Sequence, residues 1–237
     1  MEIKKKFIGF KSADRPSLGL ALIFDISGFT MFYNKPDIHF YVTNYINHIV
    51  DCVDSTIWGG TAYYTEPPKE IDPLKLKPSM RKFLGDGMLY VWEDTDERFL
   101  SSPNLKINLI NRLWNLQKYF SSINKKLLEE MPIGDLPKSV KFGIAQGTIY
   151  KLVEEDNTID YIGPCINLAS RLVKYCPEIN FVASARLDLP KDKLEANRYF
   201  RIIAKELRSF ENEIIIVDKN DYSKVSENDK KRLFTSL

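Results

Sequence analysis

The sequence predicts an α/β (α+β) sandwich, a central and mostly antiparallel sheet with helices packed on it, and three observations predict it. A near-continuous apolar run, Leu18 to Ile26, has the density of a strand buried on both faces. The stretch RKFLGDGMLYVWE, Arg81 to Glu93, reads as a hairpin, because apolar strand residues flank the turn Gly85-Asp86-Gly87. Two further segments carry apolar residues at spacings of three and four, the mark of amphipathic helices. The order strand–helix–hairpin–helix–strand is that of a ferredoxin-like sandwich.

Taken in order, residues 1–17 form an N-terminal arm closed by Pro16. After the first strand, Asp37 to Ile57 places Phe40, Ile46, Ile49, Val50, Val53 and Ile57 on one helical face, and Gly59-Gly60 ends that helix. The proline-rich stretch TAYYTEPPKEIDPLKLKPSM has loop character. A long helix spans Leu105 to Met131, with Leu109, Leu113, Leu116, Phe120, Ile123 and Leu127 facing inward. SVKFGIAQGTIYKLVE reads as a strand with a glycine break, paired with its own continuation. IDYIGPCINLASRLVKYC passes from strand through Gly163-Pro164 into a helix, and FVASA and EIIIVD are short strands. The domain thus runs over 18–218, and 219–237 reads as a polar tail.

Composition excludes several classes. A net charge of +2 over 237 residues carries no broad basic footprint for nucleic acid. Three cysteines without CxxC spacing suit a reducing cytosol, and two histidines cannot supply a His-rich zinc site. The basic N-terminus lacks the apolar core of a signal peptide, and Leu18 to Phe24 falls far short of the roughly 20 residues of a membrane span. The expectation is a soluble cytoplasmic protein with neither membrane nor nucleic acid as partner.

One stretch asks for chemistry. LALIFDISGFTMF ends a buried strand in Asp25, and a charge there costs several kcal/mol unless something pairs with it. Either Asp25 caps the helix that follows or it holds a metal. Asp86, in the hairpin turn, stands at a comparable place if the hairpin pairs with the first strand. Two carboxylates with no imidazole nearby suit hard divalent ions bound together with phosphate oxygens. The plain alternative is one helix cap and one turn aspartate.

Four motifs in order, FDISGFT, KFLGDGMLYVW, FGIAQG and DYIGPCINLASRL, closely resemble the catalytic domain of class III nucleotidyl cyclases over roughly Leu18 to Val217. The resemblance implies two metal ions per site, Mg²⁺ or Mn²⁺, held by Asp25, Asp86 and the Ile26 carbonyl. It implies that Asn167 orients the ribose and Arg171 stabilises the reacting phosphate. Lys82 and Asp160 match the pair that reads the base. Phe29 and Thr30, after Ser27-Gly28, fall where backbone approaches the triphosphate. Two positions depart from the pattern: Arg208, in LRS, stands for a phosphate-binding lysine, and Lys141 for an arginine before the GI strand. The family's site lies between two catalytic domains, one giving the aspartates and the other Asn167, Arg171 and the base readers; this chain carries both sets, which implies a symmetric homodimer with two sites.

Lys82 and Asp160 suit adenine, yet cytosine and uracil offer comparable acceptor and donor edges. The segment Thr61 to Arg81 is longer than the resemblance implies. It is either a surface excursion or a wall that shallows the pocket, with Tyr64 against the base. As a catalytic module without a visible sensor, the chain also resembles small pyrimidine cyclases of bacterial antiphage (Pycsar) systems. That implies UTP as substrate, then ATP or CTP, with the cyclic product acting on an effector. A catalytically dead nucleotide-binding or dimerisation module is the alternative of another class. None of the metal, ribose or phosphate residues it would lack is lost.

Overall fold

A computed structural model of the chain describes residues 12–13, 15–62, 67–71, 77–93, 100–131, 134–154 and 156–237. The strands are β1 (Ser12–Ala13), β2 (Ser17–Ser27), β3 (Gly60–Ala62), β4 (Lys69–Ile71), β5 (Met80–Phe83) and β6 (Gly87–Glu93), then β7 (Ser139–Val153), β8 (Ile159–Ile162), β9 (Phe181–Ser184), β10 (Tyr199–Ala204), β11 (Glu213–Asp218) and β12 (Phe234–Thr235). The helices are α1 (Phe29–Tyr33), α2 (Val42–Trp58), α3 (Pro103–Glu130), α4 (Pro164–Leu172), α5 (Lys191–Ala196), α6 (Lys219–Lys224) and α7 (Glu227–Leu233). The main sheet runs β12-β10-β11-β9-β7-β2-β6-β5, with β1 and β8 paired to β7 off that path, and β3 and β4 form a small sheet of their own. Pairing is antiparallel except between β7 and β9.

The period-two geometry of β2 divides the molecule. Leu20, Leu22, Phe24 and Ile26 enter a core shared with α2 and α3, while Ala21 and Ile23 enter a second core shared with α4. Both faces are apolar, which is why the run reads as continuous in the sequence. Helix α3 begins where Ser102 caps it, its hydroxyl accepting from the Leu105 amide at 3.4 Å.

Three expectations need correction. The strand expected to break at glycine is continuous β7, and it pairs with β8 rather than with its own continuation. Gly143 is there because α4 lies close: a Cβ at that position would stand 2.3 Å from the Ala169 carbonyl. Residues 219–237, read as a polar tail, form α6, α7 and β12, and Val225, Leu233 and Phe234 enter the α4-side core. Strand β10 was not anticipated at all, because Arg201 interrupts its apolar run. The N-terminal arm contributes β1, paired with β7, and its residues 1–11 and 14 lie outside the described residues. Among the described residues no helix is long and apolar enough to cross a membrane.

Candidate active site

Asp25 does not cap α1. The cap position belongs to Gly28, at φ 84°, with no side-chain hydrogen bond, and β2 itself continues two residues past the aspartate to Ser27. Asp25 instead points to the α4 side of the sheet, the side of Ile23, two residues earlier. Its Cα partner on one neighbouring strand is Gly87 and on the other Lys141. The Ile26 amide donates to the Asp86 carbonyl at 2.9 Å and locks the hairpin turn against β2. Gly87 permits that approach, since a Cβ there would meet the Phe24 carbonyl at 1.9 Å.

The two carboxylates therefore meet. They line one cavity of about 290 Å³ together with Leu84, Ser170, Arg171 and Lys174. Burial pushes the Asp25 pKa up, the adjacent Asp86 carboxylate pushes it further, and the Lys174 ammonium opposes both. Two like charges so placed call for a cation between them. The donor set suits a hard divalent ion, because the cavity lining holds carboxylate oxygens and no thiolate or imidazole. No group of three or more His, Cys, Asp or Glu side chains capable of holding a metal occurs among the described residues. A metal here must complete its shell with a backbone carbonyl, water and substrate phosphate, as Mg²⁺ commonly does.

Helix α4 supplies the opposite wall. Cys165, Leu168, Ala169 and Leu172 face the sheet, which leaves Asn167 and Arg171 exposed on the other side, one turn apart. Arg171 lines the cavity of the same chain's aspartates, where the resemblance put it with the opposite domain, and Asn167 does not line it. The residues that follow, Lys174 above all, were missed in the sequence. Spacing offered the signal, since Asn167, Ser170, Arg171 and Lys174 repeat at three and four.

Lys82 and Asp160 do come together. The Lys82 ammonium donates to Asp160 Oδ2 at 2.5 Å, joining β5 to β8, and Asp160 Oδ1 accepts from the Tyr161 amide at 2.8 Å. Lys82 lies opposite Leu89 in register, so it shares the α4 side of the sheet with Asp25. The pair does not line the aspartate cavity.

The remaining candidates scatter. Lys141 faces Asp25 in register, but its ammonium donates to the carbonyls of Cys176 at 3.1 Å and Pro177 at 2.8 Å. Burial holds its pKa below the usual lysine range. Arg208 is exposed in the turn between β10 and β11, away from the cavity lining. Phe29 and Thr30 open α1 and line a separate apolar recess with Tyr33, Phe83 and Gly85. Tyr64 lies outside the described residues. Of its segment, residues 61–62, 67–71 and 77–81 are described, and Ala62 enters the core on the α2 side, the face opposite Lys82.

No protein-family model matches the chain, and no curated protein matches it in sequence. Solved structures do match its fold. The guanylyl cyclase Cya2 superposes with a TM-score of 0.60 at 16% identity, covering 87% of this chain and 93% of that one. The adenylyl cyclase CyaB from P. aeruginosa gives 0.58 at 14% identity, covering 87% and 95%. The catalytic core of a rhodopsin-guanylyl cyclase with converted specificity, in complex with ATPαS, gives 0.51 at 14%, covering 87% and 98%. Identities this low speak for architecture alone: the chain has the class III cyclase fold, a central sheet with helices packed on it.

Proposed function

We propose that the chain is a nucleotidyl cyclase, converting a nucleoside triphosphate to its 3′,5′-cyclic nucleotide and pyrophosphate. The observation that carries this reading is the convergence of Asp25 and Asp86 in one cavity faced by Arg171. The fold it shares with adenylyl and guanylyl cyclases supports it. In the reaction the ribose 3′-oxygen attacks the α-phosphorus, the bond from that phosphorus to the bridging oxygen breaks, and pyrophosphate departs. Asp25, Asp86 and the Ile26 carbonyl would hold two ions, Mg²⁺ or Mn²⁺. When bound, these acidify the nucleophile and offset charge on the leaving group.

The chain's own side chains account for the rest. Asn167 orients the ribose so that the 3′-hydroxyl stays in line, and Arg171 stabilises charge on the α-phosphoryl oxygens. Arg208 and the backbone at Phe29 and Thr30 are assigned to the outer phosphates. Lys141 is spent on two carbonyls and is assigned to holding the 176–177 turn. Lys82 and Asp160 read the base.

Because the base pair and Asn167 stand apart from the aspartate cavity of their own chain, a complete site requires a second copy. The active form in this reading is a homodimer in which each protomer lends Lys82, Asp160 and Asn167 to its partner's aspartates. As substrate we propose UTP, making cyclic UMP a second messenger in bacterial antiphage defence. That choice rests on the resemblance to small pyrimidine cyclases and on the length of the Thr61 to Arg81 segment. The Lys82–Asp160 ion pair favours a second reading, ATP, whose N1 and 6-amino group offer one acceptor and one donor.

Purified protein incubated with each of the four NTPs and Mn²⁺, with products identified by mass, tests both levels. Cyclic UMP as main product supports the full proposal. Cyclic AMP retains the cyclase and replaces the base. No cyclic product from any NTP leaves the fold without the activity.

A further inference from the structure

We infer that Lys174 is an internal counter-ion of the aspartate pair, a cation built into the fold that competes with divalent metal for Asp25 and Asp86. It thereby sets the metal concentration at which the site loads. The inference rests on the reading of those carboxylates as metal ligands and adds a residue to it.

The Lys174 ammonium stands 3.5 Å from Asp25 Oδ1 and lines the same cavity as Asp86 and Arg171. Its place follows from α4, which ends at Leu172. Amides of the next turn bond back, Val173 to the Ala169 carbonyl at 3.1 Å and Lys174 to the Arg171 carbonyl at 3.3 Å. The side chain is 66% exposed where that of Asp25 is 18%, so the ammonium reaches the carboxylate from the solvent side. It can leave without opening the core. The other lysine beside Asp25 cannot serve, since Lys141 is held by the Cys176 and Pro177 carbonyls.

A flexible ammonium is a compact point charge, suited to neutralising a carboxylate and to being displaced from it. A divalent ion bonds a carboxylate oxygen at about 2.0–2.1 Å and repels a cation held nearby. Metal entry therefore expels Lys174, and the lost ion pair subtracts from metal affinity. For a pair this exposed the penalty corresponds to about two- to fivefold in affinity. Without metal, the same lysine spares the fold two uncompensated like charges.

The test measures Mn²⁺ binding to the full chain without nucleotide, by the electron paramagnetic resonance signal of free Mn²⁺. It compares wild type with Lys174→Met, Lys174→Gln, Lys174→Arg and Asp25→Ala. Lys174→Met and Lys174→Gln should bind Mn²⁺ about two- to fivefold more tightly. Lys174→Arg, which keeps the charge, should stay near wild type, and Asp25→Ala should lose the site. In EDTA, Lys174→Met should melt about 1–3 °C lower than wild type, and the difference should vanish with Mn²⁺. Unchanged or weaker Mn²⁺ binding in both neutral variants, with Asp25→Ala still defective, overturns the counter-ion role alone. If Asp25→Ala binds Mn²⁺ like wild type, the metal reading falls and this inference with it.

Discussion

Arg81 and Lys82 are neighbours on β5 and point to opposite faces of the sheet, and each finds an aspartate. On the α2 side, Arg81 pairs with Asp54, lies over the Trp58 ring at 5.6 Å, and shares Asp54 with the Tyr90 hydroxyl at 2.7 Å. Burial raises the Asp54 pKa, while the Tyr90 hydrogen bond and the Arg81 charge oppose it. On the α4 side, Lys82 and Asp160 remain 51% and 23% exposed. Two like ion pairs thus differ in how far the acid is enclosed: Asp54 is 10% exposed and Asp160 23%, while Arg81, at 44%, is nearly as open as Lys82. Asp54 is shared between Arg81 and Tyr90, which ties β5 and β6 to α2, whereas Asp160 leaves more of its carboxylate open to a ligand.

The largest expected effect lies on the α4 side. Asp25→Ala or Asp86→Ala should abolish cyclisation and leave the protein folded, because in the proposed reaction each carboxylate holds the metals. More than about a tenth of the wild-type rate in either variant would refute the metal assignment.

Lys82→Ala and Arg81→Ala should separate function from stability. Removing Lys82 should lower kcat/KM about 10- to 100-fold for every base, through loss of a charge-assisted hydrogen bond, and change stability by less than about 0.5 kcal/mol. Removing Arg81 should cost about 1–3 kcal/mol, because Asp54 stays buried without its cation, and touch kcat/KM far less. Denaturant titration and steady-state kinetics on the two variants read both. Equal effects of the two substitutions would erase the distinction between the faces.

A smaller effect concerns Asp25 without metal. Its pKa in the fold is raised above the ordinary 3.8, so ionisation is disfavoured in the native state. The stability cost is absent below the unfolded value, grows as pH rises past it, and is complete above the raised folded value. Asp25→Asn should therefore melt about 1–3 °C higher than wild type at pH 7 in EDTA, and no higher at pH 3. A lower melting temperature at pH 7 would mean that Lys174 overcompensates the carboxylates.

Much of this was legible before any coordinates. The β2 run, the Gly-Asp-Gly hairpin and the α4 motif are local patterns, and the meeting of Asp25 with Asp86 followed from pairing the first with the second. What escaped depends on tertiary contact. In 219–237 the apolar residues Val225, Leu233 and Phe234 are too sparse for a period. They join the fold through β12 on β10 and through Tyr175, whose hydroxyl donates to the Lys205 carbonyl at 2.6 Å. Lys141 shows a different limit. Register put it beside Asp25, but a long side chain chooses among partners, and the carbonyls at 176 and 177 won.

If two protomers complete each other's site, mixing two inactive chains should restore activity that neither has alone. Asp25→Ala and Asn167→Ala chains would be assayed singly and as an equal mixture, with cyclic nucleotide read by mass and subunit exchange followed by native mass spectrometry. Each alone should be inactive, and the mixture should recover about a quarter of the wild-type rate, since half the dimers carry one intact site of two. A mixture that stays inactive while heterodimers are seen would place the whole site within one protomer and contradict the account.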